Sequence, residues 1–457
     1  MADKAVSLRG EQTVLFTNRQ LVALMWPLLL EQFLAITVGL ADSLMVATVG
    51  DAAISAVSLV DSISNLMIYI FSAMATGGAA VAGQYIGQRQ KEDACHAGQQ
   101  LIALLAAVSV FFVALLYLFR VQVLTVMFGH IEPDVMAATN TYYLYVMASI
   151  PGIALYNGGA ALWRTMGRSD ISLKVSLLMN GINVAGNAIL IFGFGMDVAG
   201  VAIPTLVSRT VAAAVILGML FNDKLTLHLS NVRAFRLDMR LMKNIFYIGV
   251  PSGVENGMFH LGRLVLFSLI STFGTAAMVA NAIGNTIANF NCFSGSAINL
   301  GLAAVVSQCV GAGEFDQARA YMKKIVKWTY GIMAVVNLGI MALLPLIMRV
   351  YNVSPEAEKL AVTVSLIHGI SSIFLWIPAF TIPSFLRAAG DAQFTMLASM
   401  TTMWLVRVLL AYVLGRYLGY GVVGVWFAHA ILDWLVRGSV FILRYRSGKW
   451  ESMGIKT

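Results

Sequence analysis

Four carboxylates stand inside otherwise apolar stretches of this 457-residue chain: Glu31, Asp42, Asp61 and Glu255. A charge at the centre of a bilayer costs about 2.5–3.5 kcal/mol on insertion scales, so each has to be explained by a partner or a function. Glu31 and Asp42 are eleven residues apart, three helical turns, and so project from one helix face roughly 16 Å apart. Asn180, Asn183 and Asn187 recur at i, i+3 and i+7 in a further apolar run, and Thr205 follows in the next. The three amides share one helix face. Amide and hydroxyl oxygens beside one aspartate can hold a small hard cation such as Na⁺, or a carboxyl that takes up and releases a proton. The plainer alternative is that they tie helices together, at about 0.6 kcal/mol per pair. Asp61, one turn before Asn65, is the further acidic candidate in this half.

In the second half Asn281, Asn285 and Asn289 form a stripe, with Asn291 and Asn299 beyond it, and Arg263 lies two turns after Glu255. Arg263 and Arg407 are expected to pair with carboxylates or carbonyls, because an unpaired guanidinium is costly at membrane depth. His260 and His368 could carry protons, although a lone histidine in a span more often serves as a hydrogen-bonding group.

Helices must hold these groups. The chain is 59% hydrophobic and 11% charged, its mean hydropathy is +0.80, and its apolar runs have the length of about 20 residues that crosses a bilayer as a helix. Twelve such spans can be read, the first over 21–47 and the last over 420–443. With both termini inside, 22 of the 30 basic residues fall on the cytoplasmic side, the asymmetry of the positive-inside rule. The net charge of +8 is therefore topological: it faces anionic lipid, and no nucleic-acid partner is expected. The three cysteines show no metal or disulfide pattern,. No HExxH, clustered Cys/His or Ser-His-Asp set supports an enzyme. No catalytic residue, cofactor or metal is expected beyond a possible Na⁺ near Asp42.

The two halves are copies. Shifted by 224 residues, Pro27–Ala94 falls on Pro251–Ala318 without a gap, and 19 of the 68 pairs are identical. Among them are Pro27/Pro251, Glu31/Glu255, Gly50/Gly274, Gln84/Gln308 and Gly87/Gly311. Six spans per copy give both the same orientation, so the expected fold is an all-α integral membrane protein: twelve transmembrane helices in two six-helix lobes related by a pseudo-two-fold along the membrane normal, with alternating access between the lobes. The expected organisation is a cytoplasmic tail over 1–20, an N-lobe over 21–220, a linker over 221–244, a C-lobe over 245–445 and a second cytoplasmic tail over 446–457. The duplication also sorts the acids. Glu31 and Glu255 are kept in both copies and can be architectural, whereas Asp42 faces Leu266 in the second copy and is the stronger candidate for a functional ion.

The chain resembles the multidrug and toxic compound extrusion (MATE) family over nearly its whole length. The resemblance is carried by Pro27 and Glu31 followed by Gly39-Leu40-Ala41-Asp42-Ser43, by Ala73-Met74-Ala75-Thr76-Gly77 leading to Gln84-Tyr85-Ile86-Gly87, and by Pro251-Ser252-Gly253-Val254-Glu255. The turns Leu162-Trp163-Arg164-Thr165-Met166-Gly167 and Phe385-Leu386-Arg387-Ala388-Ala389-Gly390 add to it. It implies a cation-coupled antiporter, driven by H⁺ or Na⁺, that exports organic, cationic or aromatic compounds. It also implies that Asp42 works with Asn183, Asn187 and Thr205, and that Glu255 matches a seventh-span glutamate assigned to the C-lobe. Two departures bear on this. Trp376 and Ile377 stand where sodium-coupled members carry a tenth-span aspartate, and Asn187 stands where some members carry a fifth-span one. The expected coupling residues are therefore Asp42, Asn183, Asn187, Thr205 and Glu255, with the site around Asp42 the better supported, and Glu31, Asp61, Asn180, Asn285 and Arg263 are secondary candidates. A flippase for a lipid-linked precursor, or an exporter of one metabolite, are the alternatives; a flippase would want several basic residues in its cavity. A monomer in a bacterial inner membrane, meeting small organic substrates and lipids, completes the expectation.

Overall fold

The computed structural model describes residues 14–129, 132–229 and 236–455, and they are helical with no strand among them. Twelve long helices follow in order. The first six are α1 (Asn18–Ala47), α2 (Asp51–Gly87), α3 (Lys91–Leu118), α4 (Pro133–Thr165), α5 (Ser169–Gly193) and α6 (Ala199–Phe221). The second six are α7 (Met239–Ser271), α8 (Thr275–Gly311), α9 (Phe315–Tyr351), α10 (Pro355–Phe374, continued by a π turn and a short helix to Ala388), α11 (Ala392–Tyr417) and α12 (Gly421–Arg446). These are the twelve expected spans. Ten are long and apolar enough to cross a membrane, and α4 and α7, at 33 residues each, have the length to do so. Large apolar side chains such as Leu44, Val335 and Leu443 stand 69–74% exposed, as the lipid-facing side of a membrane bundle requires. Most of the N-terminal tail lies outside the described residues, as does part of the linker. The C-terminal segment is folded against the bundle: Trp450 is fully buried, Glu451 pairs with Arg319, and the Ile455 amide donates to Gln84 Oε1 at 2.8 Å.

The glycines retained in both copies have physical reasons. Gly50 and Gly274 turn the chain between α1 and α2 and between α7 and α8 with φ of +133° and +94°, values that side chains with a Cβ rarely adopt. Gly87 and Gly311 let the ends of α2 and α8 touch. A Cβ on Gly87 would strike the Gln308 carbonyl, and one on Gly311 would strike the Gln84 carbonyl. Because Gln84/Gln308 and Gly87/Gly311 are repeat mates, the contact is reciprocal, as two copies meeting about a two-fold must be. Gly311→Leu is accordingly expected to abolish recovery of monodisperse protein, whereas Gly181→Leu, with open space around it, is expected to leave recovery unchanged; size-exclusion profiles in detergent distinguish them.

Compact packing does not follow the cut at the linker. One unit comprises the residues up to Leu29, Gly83–Gln90 and Met258 onward; the other comprises Leu30–Ala82 and Lys91–Gly257. The boundary therefore runs through α1 and α7. Leu21, Leu24 and Met25 of α1 are buried with Leu302, Val306, Ile325 and Phe385, while Gly249 of α7 lies so close to α2 that a Cβ on Gly77 would come within 2.8 Å of its Cα. Glu255 consequently belongs to the unit built mainly from the first repeat.

Candidate functional site

Asp42 is half-buried on α1 and faces the asparagine stripe of α5. Asn187, fully buried, donates from Nδ2 to Asp42 Oδ1 at 2.8 Å. Asn183 is best satisfied with its amide nitrogen turned to the carboxylate. It then donates to Asp42 Oδ2 at 2.9 Å, lies 3.0 Å from Oδ1, and accepts at its own oxygen from Thr205 Oγ1 at 3.2 Å,. Gly186 of α5 sits against Pro204 of α6 without room for a Cβ, which brings Thr205 to the stripe. Asp42, Asn183, Asn187 and Thr205 thus lie together. Asn180 does not join them: its amide faces Ser176, one turn earlier on the same helix, at 3.5 Å.

Two neighbours were not legible as part of this set. Arg209 of α6 and Tyr142 of α4 complete it, because Asp42 and Asp61 lie within each other's electrostatic reach and Arg209 acts on both. Tyr142 donates its hydroxyl to Asp61 Oδ1 at 3.3 Å, and Arg209 Nη1 donates to Ser149 Oγ at 2.8 Å. Gly152 on α4 lies against the backbone of α6 at the arginine, where a Cβ would come within 3.1 Å of the Arg209 carbonyl. Pairing across helices of distant sequence carries no local signal. The available hint was that Arg209 stands near the middle of a span, where a basic residue is costly,.

The two acids kept in both copies stand elsewhere. Glu31 is 6% exposed and tied to α4 and α5: the Ser172 hydroxyl donates to Oε2 in a short hydrogen bond, Tyr156 donates to Oε1 at 3.3 Å, and Arg164 Nη1 lies 3.9 Å away. Glu255 is likewise buried.

The remaining candidates lie in the other compact unit. Arg263 donates to Asn285 Oδ1 at 3.4 Å, so its partner is an amide oxygen. Arg407 departs from expectation further: Nη1 meets the Met403 thioether at 3.7 Å and buried Nε has no hydrogen-bond partner. The carboxylate within reach, Asp433, has both oxygens engaged by Arg437 Nη2, at 3.0 and 3.2 Å. His368 is a buried hydrogen-bonding residue, with Nδ1 3.1 Å from Asn291 Nδ2 and 3.3 Å from Ser372 Oγ. Among the described residues no group of three or more His, Cys, Asp or Glu is placed to hold a metal.

What the Asp42 set can do follows from its donors. The amides as placed direct N–H groups at an ionised carboxylate, and Asn187 Oδ1 is buried without a partner. A turn of the amide would offer that oxygen to a protonated carboxyl, and the same oxygens could serve a bound Na⁺.

Comparison with known proteins fits this arrangement. The MatE family model matches twice, over residues 27–189 and 251–413, two blocks offset by the same 224 residues as the internal repeat. The chain is 29% identical to the uncharacterized transporter YisQ of Bacillus subtilis, covering 95% of each. It is 24% identical to the probable multidrug resistance protein NorM of Thermotoga maritima, over 96% of this chain and 94% of that one. Its backbone superposes on the bent form of the MATE transporter VcmN of Vibrio cholerae with a TM-score of 0.85 at 20% identity, covering 96% of this chain and 98% of that one. A family model matched in both repeats, on a two-lobed bundle of twelve membrane-length helices, establishes that this multi-pass membrane protein belongs to the multidrug and toxic compound extrusion family of transporters.

Proposed function

We propose that this transporter is a cation-coupled antiporter that exports organic, cationic or aromatic compounds from a bacterial cell across its inner membrane, with both termini cytoplasmic, by alternating access. The observation that carries the coupling is the Asp42 carboxylate held by Asn183 and Asn187 at a position that has no acidic counterpart in the second copy, where Leu266 stands. One such group can be loaded by a cation from one side and discharged to the other, and the substrate leaves in exchange. H⁺ is the cation that the geometry favours, because the amides present N–H groups to the carboxylate rather than an oxygen cage. Export of multidrug type is supported by the probable multidrug resistance proteins among its relatives.

The test is transport in proteoliposomes with the two gradients imposed separately. An inward pH gradient at equal Na⁺ is expected to drive substrate efflux, and an inward Na⁺ gradient at equal pH is expected to leave it at the basal rate. Efflux driven by Na⁺ alone would reassign the ion; efflux indifferent to both gradients would remove the antiport reading.

A further inference from the structure

The repeat register carries the Asp42 cluster onto the other compact unit. Shifted by 224, Asp42 falls on Leu266, Asp61 on Asn285, Asn183 on Arg407 and Thr205 on His429. Leu266, Asn285, Arg407 and His429 are all walls of one cavity of about 240 Å³, which His260, Arg263 and Trp426 also line. At these four positions the two acids of the first copy give way to Leu266 and Asn285 and two neutral polar residues to Arg407 and His429, while the mates of Asn187 and Arg209, Ala411 and Asp433, do not line the cavity. Two guanidinium groups and two imidazoles face this space, and none of its lining residues is an Asp or Glu.

Arg407 is the unusual member. It is 6% exposed, and its buried Nε lacks a hydrogen-bond partner. A buried guanidinium without an anion is costly, and the nearby Asp433 is already held by Arg437, which also stacks 4.4 Å from the Phe259 ring centroid. Arg407 and His429 both stand on π turns, Thr402–Val408 and Ala428–Asp433; the inserted residue in such turns re-aims side chains and recurs at binding sites. The size is informative as well. A dry cavity of about 150 Å³ suffices for benzene, so this one admits a fused pair of rings. Trp426, His429 and Phe267 supply aromatic walls.

We propose that this cavity binds the carboxylate of an aromatic acid, with Arg407 and Arg263 receiving the carboxylate and Trp426 and His429 packing on the ring. The fork of a guanidinium matches a carboxylate with two parallel hydrogen bonds, and Asn285, already bonded to Arg263, orients that arginine. The proposal extends the substrate class beyond cations to compounds that carry an aromatic carboxylate. It is tested by equilibrium binding without any gradient, so its outcome is separate from that of the antiport reading.

The experiment is calorimetric titration of the full chain in detergent with 2-naphthoate and with its neutral isostere 2-naphthamide. The acid is expected to bind at least about tenfold more tightly than the amide. Arg407→Met and Arg263→Met are each expected to remove that preference while leaving weak amide binding in place. Should Arg407→Met fail to fold, Arg263→Met, at an exposed side chain, carries the test alone. Equal affinity for acid and amide overturns the proposal, as does full retention of the preference in folded variants or displacement of 2-naphthoate by an equal concentration of inorganic phosphate.

Discussion

Asp42→Asn is expected to bring gradient-driven export down to the level of protein-free vesicles while leaving a folded, inserted protein. The substitution keeps the size of the side chain and an oxygen that can accept from Asn187, now 2.8 Å from Asp42 Oδ1. The fold loses at most the difference between a charge-assisted and a neutral hydrogen bond at a half-buried site, on the order of 1 kcal/mol. What disappears is the capacity to alternate between charged and neutral forms, and no other group in the cluster restores it. Asp61 is held by Tyr142, and Arg209 is a permanent cation. The two readouts are substrate efflux under an imposed gradient and the thermal melt of the purified variant. Efflux at the wild-type rate from a correctly inserted variant would move the coupling role to Asp61 or Glu255 and leave Asp42 as a helix-tying residue.

The features legible in the sequence were those encoded within one segment or in the comparison of the two copies. Apolar run length located all twelve helices, because the membrane makes backbone satisfaction a property of each segment by itself. The period of the α5 stripe found Asn183 and Asn187, whose side chains are one turn apart and reach the same carboxylate. The same stripe over-reached at Asn180, two turns from Asn187, which bonds to Ser176 instead. Arg209 and Tyr142 escaped because their association with Asp61 depends on how α4 and α6 rotate against α2, and no local pattern records that. The division of α1 and α7 between the compact units escaped for a related reason: hydrophobicity tells which residues avoid water but not which neighbours each half of a helix packs against. Arg407 shows where an energetic argument went astray. The cost of an unpaired guanidinium calls for a partner within the protein, whereas the structure leaves Arg407 Nε without a hydrogen-bond partner beside a cavity. Read through the 224-residue register, Arg407 opposite Asn183 and His429 opposite Thr205 were the available signals.

Glu31 should answer to substitution in the opposite way from Asp42, through stability rather than coupling. Its carboxylate is 6% exposed and receives Ser172, Tyr156 and Arg164 from two other helices. Glu31→Ala removes the one acceptor these donors share and leaves the Arg164 guanidinium, itself 9% exposed, without its counter-charge. Removing one partner of a buried ion pair costs about 3–5 kcal/mol, a large share of the roughly 5–15 kcal/mol that keeps a typical domain folded. Glu31→Gln retains an oxygen for Ser172 or Tyr156 and is expected to lose clearly less. The expected order in melting temperature is therefore wild type, then Glu31→Gln, then Glu31→Ala. Efflux per folded Glu31→Gln molecule is expected to stay near wild type, in contrast to Asp42→Asn. A Glu31→Ala protein that melts with the wild type would show that the ties to α4 and α5 contribute nothing net. A Glu31→Gln protein that melts normally but no longer responds to a gradient would place Glu31 on the ion path and remove its architectural reading.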